Sequence, residues 1–554
     1  MRLQATSLAT KRTINVADPP FRALGNGGDD APALQHAIDT AVASGGGTIL
    51  LPTGTYHLNS GHLQFSMDNR GAGHIALVGA HKTGSRLVLG DHFGACIYDS
   101  SPGLHDLWIQ NLTFDAGAID RMCCIVLSRS LHNVTFVDCN FVNVKNHYAV
   151  TVGNVGDRST GMAGENVRFI GCTFSALDCG SYEALLYQNA RHGYIRDCTF
   201  DGYAGSACAL GLYGYVEDVD VYSNSFKNAT LGGDIYTQQC ARIAILRNRH
   251  IAGASHASSI QVKNSVDVRI EHNDITGAIN EGRGASDGVQ IYDFSGDVFD
   301  GVHPSTYPDS MRIAVLHNTI RDTFHAFSVP SHDRSAQQRR AQSGIRVENN
   351  TCSGQFSSPI AIGAPTVQNI RGVAIARNII ENPPSEVRSG AGLIDVVCNR
   401  GFQRTSLAQD VAGSLEAQTV ALSGAAVIAL GQEVDVDEGD ARETVEPTQS
   451  APGSLTAKFL KNHARGAPCV PSASIVGRGV SDISIVGNTV RANAGAESAA
   501  PAIRIDGAAG VRIEDNDLRG ARTAVVASTD AELITIRNNR ANGAELIRSA
   551  PPPG

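Results

Sequence analysis

The sequence predicts a right-handed parallel β-helix, an all-β solenoid of about 12–14 coils closed at its N-terminal end by a helix. Three observations carry this. Residues 191–265 read as three successive 25-residue lines, RHGYIRDCTFDGYAGSACALGLYGY, VEDVDVYSNSFKNATLGGDIYTQQC and ARIAILRNRHIAGASHASSIQVKNS. Each line has an alternating apolar run, a polar turn, a Gly/Ala stretch and a second alternating run, with no helical period. A ladder then recurs along the chain: Cys139, Cys172, Cys198, Asn224, Asn248, Asn273, Asn318, Asn350, Asn378, Asn488, Asn516 and Asn539. Two residues further on runs a parallel ladder of Phe114, Phe141, Phe174, Phe200, Phe226, His250, Ile275, Ile320, Cys352, Ile380, Val490 and Leu518. One coil cannot bury its own apolar residues. Stacked coils can, because each strand pairs with its equivalents above and below, and stacked Asn amides suit the corners where the chain turns.

The 554 residues are compatible with one long domain, because a solenoid core grows by adding coils. The composition is globular, 42% hydrophobic and 18% charged, with 58 Gly for frequent turns. A net charge of −9 without a large basic cluster argues against nucleic acid as a partner. No 18-residue apolar run exists, so no membrane partner is expected. The segment MRLQATSLATKRTINV has no apolar leader core, so the expectation is a cytoplasmic protein, one whose leader is missing from this sequence, or one exported by another route. Twelve Cys without CxxC spacing, three of them on the interior ladder, predict buried thiols.

Residues 13–60 form the opening cap. Asp30 is the expected N-cap, Leu34, Ala37, Ile38, Ala41 and Val42 trace one helical face, and Gly45 to Gly47 end the helix. Thr48–Leu51 and the turn Pro52–Gly54 follow. Such a helix covers an otherwise open first coil. This block, TINVADPPFRALGNGGDDAPALQHAIDTAVASGGGTILLPTGTYHL, resembles the N-terminal signature of the pectate-lyase-like superfamily of right-handed parallel β-helices. The resemblance implies that fold, an association with polysaccharides and, as an assembly, a side-by-side homotrimer. It fixes no reaction, since the superfamily hosts lyases, hydrolases, epimerases, transglycosidases and tailspikes. Asp29 and Asp30 belong to the cap.

Coils are expected over 61–396 and again over 471–545. Between Asn273 and Asn318 the ladder spacing grows to 45, which loops out a segment at 279–310. Between Asn378 and Asn488 it is 110, leaving 397–470 as an insertion. Its acidic run, Glu433, Asp435, Asp437, Glu438, Asp440, Glu443 and Glu446, predicts a flexible or loosely folded excursion.

Chemistry is expected on the second alternating run of each line. Aligning ALLYQ (184–188), ALGLY (209–213), DIYTQ (234–238), SIQVK (259–263) and GVQIY (288–292) places Leu185, Leu210, Ile235, Ile260 and Val289 inward. Leu186, Gln188, Gly211, Tyr213, Asp234, Tyr236, Gln238, Gln261, Lys263, Gln290 and Tyr292 then face out. A face rich in Tyr and amides suits sugars, which offer CH faces for stacking and hydroxyls for hydrogen bonds. Tyr213, Tyr236, Gln238, Gln261, Gln290 and Tyr292 are the expected sugar contacts, joined by Asp293, His303, His332 and Arg334 from nearby loops.

Asp234 and Asp287, roughly 10 Å apart at the backbone for two coils, are the expected acid and base or nucleophile of a glycoside hydrolase or transglycosidase acting on an oligo- or polysaccharide. Glu183 and Asp178 form a second acid pair. Lys263 is the expected base if the reaction is instead a uronate lyase or C5-epimerase reaction. A glycan-binding, tailspike-like module without catalysis is the third reading. No cofactor is expected. Ca²⁺ held by Asp293, Asp297 and Asp300 is the one metal alternative, although their spacing matches no strong metal pattern. The Asn-Thr-Asp, Gly-His-Gly and Arg-Ile-Lys set of polygalacturonases, the Asp-Pro-His of alginate epimerases and the WxDH of classical pectate lyases are all missing, so no catalytic residue is carried over from the resemblance.

Overall fold

In the computed structural model the described residues are 12–549 apart from 68–69, 72, 91–93, 101–102, 129, 154–163, 254–256, 278–286, 293–309, 330–340, 364–368, 385–386, 388–390, 398–404, 424–433, 438–440, 446, 472–479, 493–496, 529–530, 532 and 543–545. They divide into two compact units, Met1–Val289 with His317–Thr323, and Gln290–Leu316 with Phe324–Gly554.

In the first unit the chain winds through three parallel sheets, one strand of each per coil. Glu217–Tyr222, Ser225–Ala229 and Gly233–Gln238 make one coil, and Ala241–Leu246, Arg249–Ala252 and Ile260–Lys263 make the next. Every strand pairs in parallel with its equivalent, in the register that the ladders predict: Val221 with Ile245, Phe226 with His250 and Ile235 with Ile260. Alternation buries one side of each strand, so the core is a set of stacked like residues. Phe114, Phe141, Phe174, Phe200, Phe226 and His250 stack ring on ring with centroids 4.6–5.5 Å apart. The predicted parallel β-helix is therefore the observed fold.

The corner between the first and second sheets explains the Asn ladder. Asp197, Ser223, Arg247 and His272, each just before a ladder residue, have φ between 53° and 58°. That left-handed conformation costs a non-glycine residue about 1–2 kcal/mol and turns the chain sharply. The ladder amides hold the turn. Asn248 Oδ1 accepts both the backbone N–H and the Nδ2 of Asn224 at 2.9 Å, and its own Nδ2 donates to Val221 O at 2.9 Å and to Asn273 Oδ1 at 3.0 Å. All these groups are buried, so every bond lost would strand a partner.

At the cap, Thr13–Asn15 pairs with Gly47–Leu51, and the helix Ala31–Ala43 buries Ala31, Leu34, Ala37, Ile38 and Ala41. Val42 is only half-buried. Asp30 makes no side-chain cap bond; its Oδ1 accepts Leu24 N at 3.0 Å and Gly25 N at 3.3 Å, which pins the incoming loop. Asp29 takes the capping part, accepting Ala31 N at 3.2 Å and Asn59 N at 3.0 Å. Both carboxylates thus bond to backbone amides of the cap.

In the second unit the same corner recurs. Asn350 donates through N and Nδ2 to Asn378 Oδ1 at 3.0 Å, and Asn378 likewise to Asn488 Oδ1 at 2.9 Å. Ile394–Val397 pairs directly with Ile503–Asp506. Between them, described strands within 405–471 pair outside the three parallel sheets before Val480–Val486 and Thr489–Arg491 rejoin the coils; of the acidic run, Glu433, Glu438, Asp440 and Glu446 lie outside the described residues. Antiparallel strands pair Ala417–Ala421 with Ser454–Lys458 and Val434–Val436 with Glu443–Val445. Leu407, Val420, Leu422, Val434, Val436, Leu455, Ala457 and Phe459 close a core of their own. Part of the acidic run is internal: buried His463 stands 3.1 Å from Asp437 and 2.6 Å from Glu443.

Eleven described cysteines are all free and buried. Among the described residues no helix is long and apolar enough to cross a membrane.

The corner amides give a stability prediction. Asn248→Ala removes bonds at a site 1% exposed and leaves buried donors of two neighbouring coils unmatched. We expect a loss of about 2–4 kcal/mol, read from the denaturant midpoint of unfolding, whereas replacement of the exposed Arg249 in the same coil stays within about 0.5 kcal/mol.

Candidate functional site

The outer face of the third sheet in the first unit is built from Leu185–Gln188, Cys208–Tyr213, Gly233–Gln238 and Ile260–Lys263. Register produces two rows across the coils, Leu186–Gly211–Tyr236–Gln261 and Gln188–Tyr213–Gln238–Lys263. The alignment thus holds for Tyr213, Tyr236, Gln238, Gln261 and Lys263. Tyr213 and Tyr236 meet edge to face at 5.1 Å. The Tyr236 hydroxyl donates to Gln238 Oε1 at 2.8 Å, the oxygen that Lys263 Nζ approaches to 3.4 Å. Lys263 Nζ lies 5.9 Å from the centre of the Tyr236 ring, and Gln238 and Lys263 are only 4% and 2% exposed. This face is more enclosed than a solvated sheet.

Asp234 is the correction. It does not face out: it is fully buried, and its Oδ2 lies 2.8 Å from Nδ1 of His250, which is itself sealed in the Phe stack. The cause is a local break in the alternation. The amides of Asp234 and Ile235 both bond to the carbonyl of Ser259, at 3.3 and 3.0 Å, so the chain bends there and the side chain turns inward. Equivalent positions one and two coils earlier hold Ala209 and Ala184, both buried. Asp234 therefore cannot touch a substrate at this face, and its expected role as catalytic acid or base falls. The His250 Nε2 is buried without a hydrogen-bond partner.

Asp287 is 8% exposed, and its backbone carbonyl accepts Ser259 N at 3.0 Å. Gln290, half-buried, and Tyr292 fall in the second unit. Asp293, Asp297, Asp300, His303, His332 and Arg334 lie outside the described residues.

The group that sequence reasoning ranked second stands at the centre. Glu183 precedes Leu185–Gln188 and folds back over Gly211, where an added Cβ would come within 2.8 Å of Glu183 Cγ. The Glu183 side chain occupies space that a side chain at residue 211 would need. Glu183 accepts a hydrogen bond from the Tyr213 hydroxyl. Burial pushes its carboxyl up to about 7, against the opposing effect of the Tyr213 bond. Burial also raises the Tyr213 phenol well above its ordinary value, so it remains a donor. Tyr148, edge to face with the exposed Tyr182 at 4.8 Å, borders the site, and burial with the nearby Glu183 charge raises its phenol as well. His147 stacks on Tyr182 at 5.4 Å. Asp178 is exposed and takes no part. The sequence signal for Glu183 was the glycine at an outward position beside tyrosines.

Such an arrangement defines a parallel β-helix protein with an enclosed aromatic and amide face and one buried carboxyl whose pKa is raised to about 7 by burial. No family model matches the chain. Over 48 residues it is 54% identical to the mannuronan C5-epimerases AlgE5 and AlgE2 of Azotobacter vinelandii, a stretch amounting to 8% of this chain and 5% of each relative. The chain thus matches only a small part of the length of these curated relatives. Among solved structures it is similar to the A-module of mannuronan C-5 epimerase AlgE4 of the same organism, with 17% identity over 67% of this chain and 95% of that one, TM-score 0.40. It is also similar to the tailspike protein of E. coli bacteriophage HK620 in complex with pentasaccharide, with 13% identity over 85% and 94% and a TM-score of 0.45.

Two predictions follow from the buried carboxyls. His250→Phe extends the Phe stack but takes the imidazole from a buried carboxylate, and we expect a loss of about 3 kcal/mol or more; adding Asp234→Ala, the residue of the coils before, recovers part of it, as equilibrium unfolding of the three proteins will show. For Glu183 the raised pKa means that the folded state holds its proton more tightly than the unfolded one. Stability therefore falls as pH rises from about 4.5 to about 7, by roughly 3 kcal/mol in all. Glu183→Gln removes this slope, so its melting temperature exceeds that of the wild type at pH 8 and not at pH 4.

Proposed function

We propose that the first unit binds a uronate-bearing polysaccharide along the third-sheet face and modifies it by proton transfer at C5, as a C5-epimerase or lyase. The observation that carries this is Glu183, a buried carboxyl raised to about 7 and bonded to Tyr213, whose neighbours along the sheet are Gln238 and then Lys263. A group of that acidity is half ionised near neutral pH and can both take and return a proton. Two-carboxylate hydrolysis is less well supported, because Asp234 is withdrawn into the core beside His250. The short match to proteins named mannuronan C5-epimerases agrees with a uronate substrate.

In the proposed reaction the C5–H bond breaks, the proton passes to Glu183, and the electron pair spreads into the uronate carboxyl. Lys263 is the group placed to hold that added negative charge, with Gln238 and Tyr236 fixing its ammonium. Tyr213 keeps Glu183 in place through its hydroxyl. The carbanion then takes a proton from solvent water on the opposite face, inverting C5, or expels the C4 oxygen, which leaves as a hydroxyl with a proton from water, giving a 4,5-double bond; in either case Glu183 returns its proton to solvent. Lys263, expected from sequence as the base, becomes the charge partner in this scheme.

The test is a panel of uronate polysaccharides read by absorbance near 235 nm for the unsaturated product and by NMR for the C5 configuration. Glu183→Gln should lower the rate by about 10²–10⁴-fold. The wild-type rate should rise with pH up to about 7, following ionisation of the base. Hydrolysis products with neither signal, or an unimpaired Glu183→Gln variant, would reject the assignment.

A further inference from the structure

The first sheet of the first unit carries a cluster that the proposed reaction does not use. Gly73–Gly79 and His105–Gln110 are neighbouring strands, with Gly73 opposite His105. His74 and Asp106 both take the left-handed conformation, φ 59° and 50°, as does Asn133 on the next coil, φ 55°. Repetition of the bend therefore brings these side chains into one column at the sheet edge. His74 Nδ1 and Asp106 Oδ2 are 3.1 Å apart. The two imidazoles cross at right angles with centroids 5.4 Å apart. One donor atom from each of His74, His105 and Asp106 lies within 4.8 Å of the other two.

We propose that His74, His105 and Asp106 form a transition-metal site, best suited to Zn²⁺, that ties together two successive coils behind the cap. Two imidazole nitrogens and a carboxylate oxygen are a borderline donor set that matches zinc better than calcium or magnesium, and three protein ligands leave a fourth position for water. Ligands on a tetrahedral ion with bonds of 2.0–2.2 Å stand about 3.3 Å apart, close to the His74–Asp106 separation.

The surroundings fix the donors as metal ligands are usually fixed. His105 Nδ1 lies 2.9 Å from Gly103 O, which makes it the protonated nitrogen and leaves Nε2 as the donor. Asp106 Oδ1 accepts Asn133 Nδ2 at 2.9 Å, which leaves Oδ2 turned to His74. A Cβ on Gly73 would stand 2.1 Å from His105 Nε2, so only glycine lets that ring lean across its strand toward the other two ligands. His132, which follows in the His105 row, is directed to Glu165 instead, 3.9 Å away.

The test is calorimetric titration of the untagged full chain with Zn²⁺ alone, and with Co²⁺ alone followed by visible absorption. We expect one equivalent bound per chain, a visible Co²⁺ spectrum of tetrahedral type, and a rise in melting temperature with Zn²⁺. His105→Ala and Asp106→Ala should each weaken binding by more than tenfold, and Asn133→Ala, a positioning residue, by about tenfold to a hundredfold. The metal-free variants should melt with the wild type, because the ligand side chains are half-buried or exposed. No saturable uptake by the wild type, or uptake that His105→Ala and Asp106→Ala leave within threefold, overturns the proposal.

Discussion

One hydrogen-bonded corner sets the pitch of each unit. A residue in left-handed conformation makes the bend, and the next residue, usually Asn, uses its side-chain oxygen to accept two N–H groups from the coil before. The amide nitrogen returns a bond to a backbone carbonyl. Because each Asn is both donor and acceptor to identical neighbours, a coil displaced by one residue would leave several buried groups unmatched. Backbone strain of about 1 kcal/mol or more per corner is thus held by a bond network that exists only in register. Cys139, Cys172 and Cys198 occupy the same column where no amide is present, and Cys198 N already bonds to Asn224 Oδ1 at 2.9 Å.

Once the corner is fixed, the faces follow. Each residue of a strand has equivalents a coil above and below, so a functional side chain is placed by which column it occupies and by what its neighbours in that column leave free. Gly211 illustrates the second point. Between Leu186 and Tyr236 it supplies no side chain, and the carboxyl of Glu183, carried on the preceding turn, fills the vacancy. Burial then raises the pKa of that carboxyl to about 7 in spite of the phenol donor, where the same group on an open strand would stay near the ordinary carboxylate value.

The features legible in the sequence are those that repeat. The ladders, the period of 2 and the glycine-ended cap helix could be read because each coil poses the same packing problem. The inward turn of Asp234 could not, because it depends on two successive amides sharing the Ser259 carbonyl, a backbone event that alternation does not reveal. Ala184 and Ala209 were the visible hint: a column of small residues marks an interior corner, and a lone Asp within it needs an interior partner, here His250 replacing a phenylalanine of the stack. The strands of the excursion escape the same kind of reading. Its acidic run dominates the composition, while the apolar residues that build its core, such as Val434, Val436, Leu455 and Phe459, alternate in short antiparallel strands without the coil period.

Departures from a repeat therefore carry more information than the repeat itself. Where every coil could use Phe, Asn or Ala, a different residue persists against a well-matched alternative at some cost in stability. The Asp234–His250 pair, the carboxyl over Gly211 and the His74–His105–Asp106 group are all departures of this kind, and each has a local reason that can be named. The first is enclosed by the stack and acts on the core alone. The second has a phenol, an amide and an ammonium on the same outer face, which is a chemical environment rather than a packing solution. This difference between a substitution absorbed by the interior and one presented at a face is the reason we propose proton transfer at Glu183 rather than at Asp234.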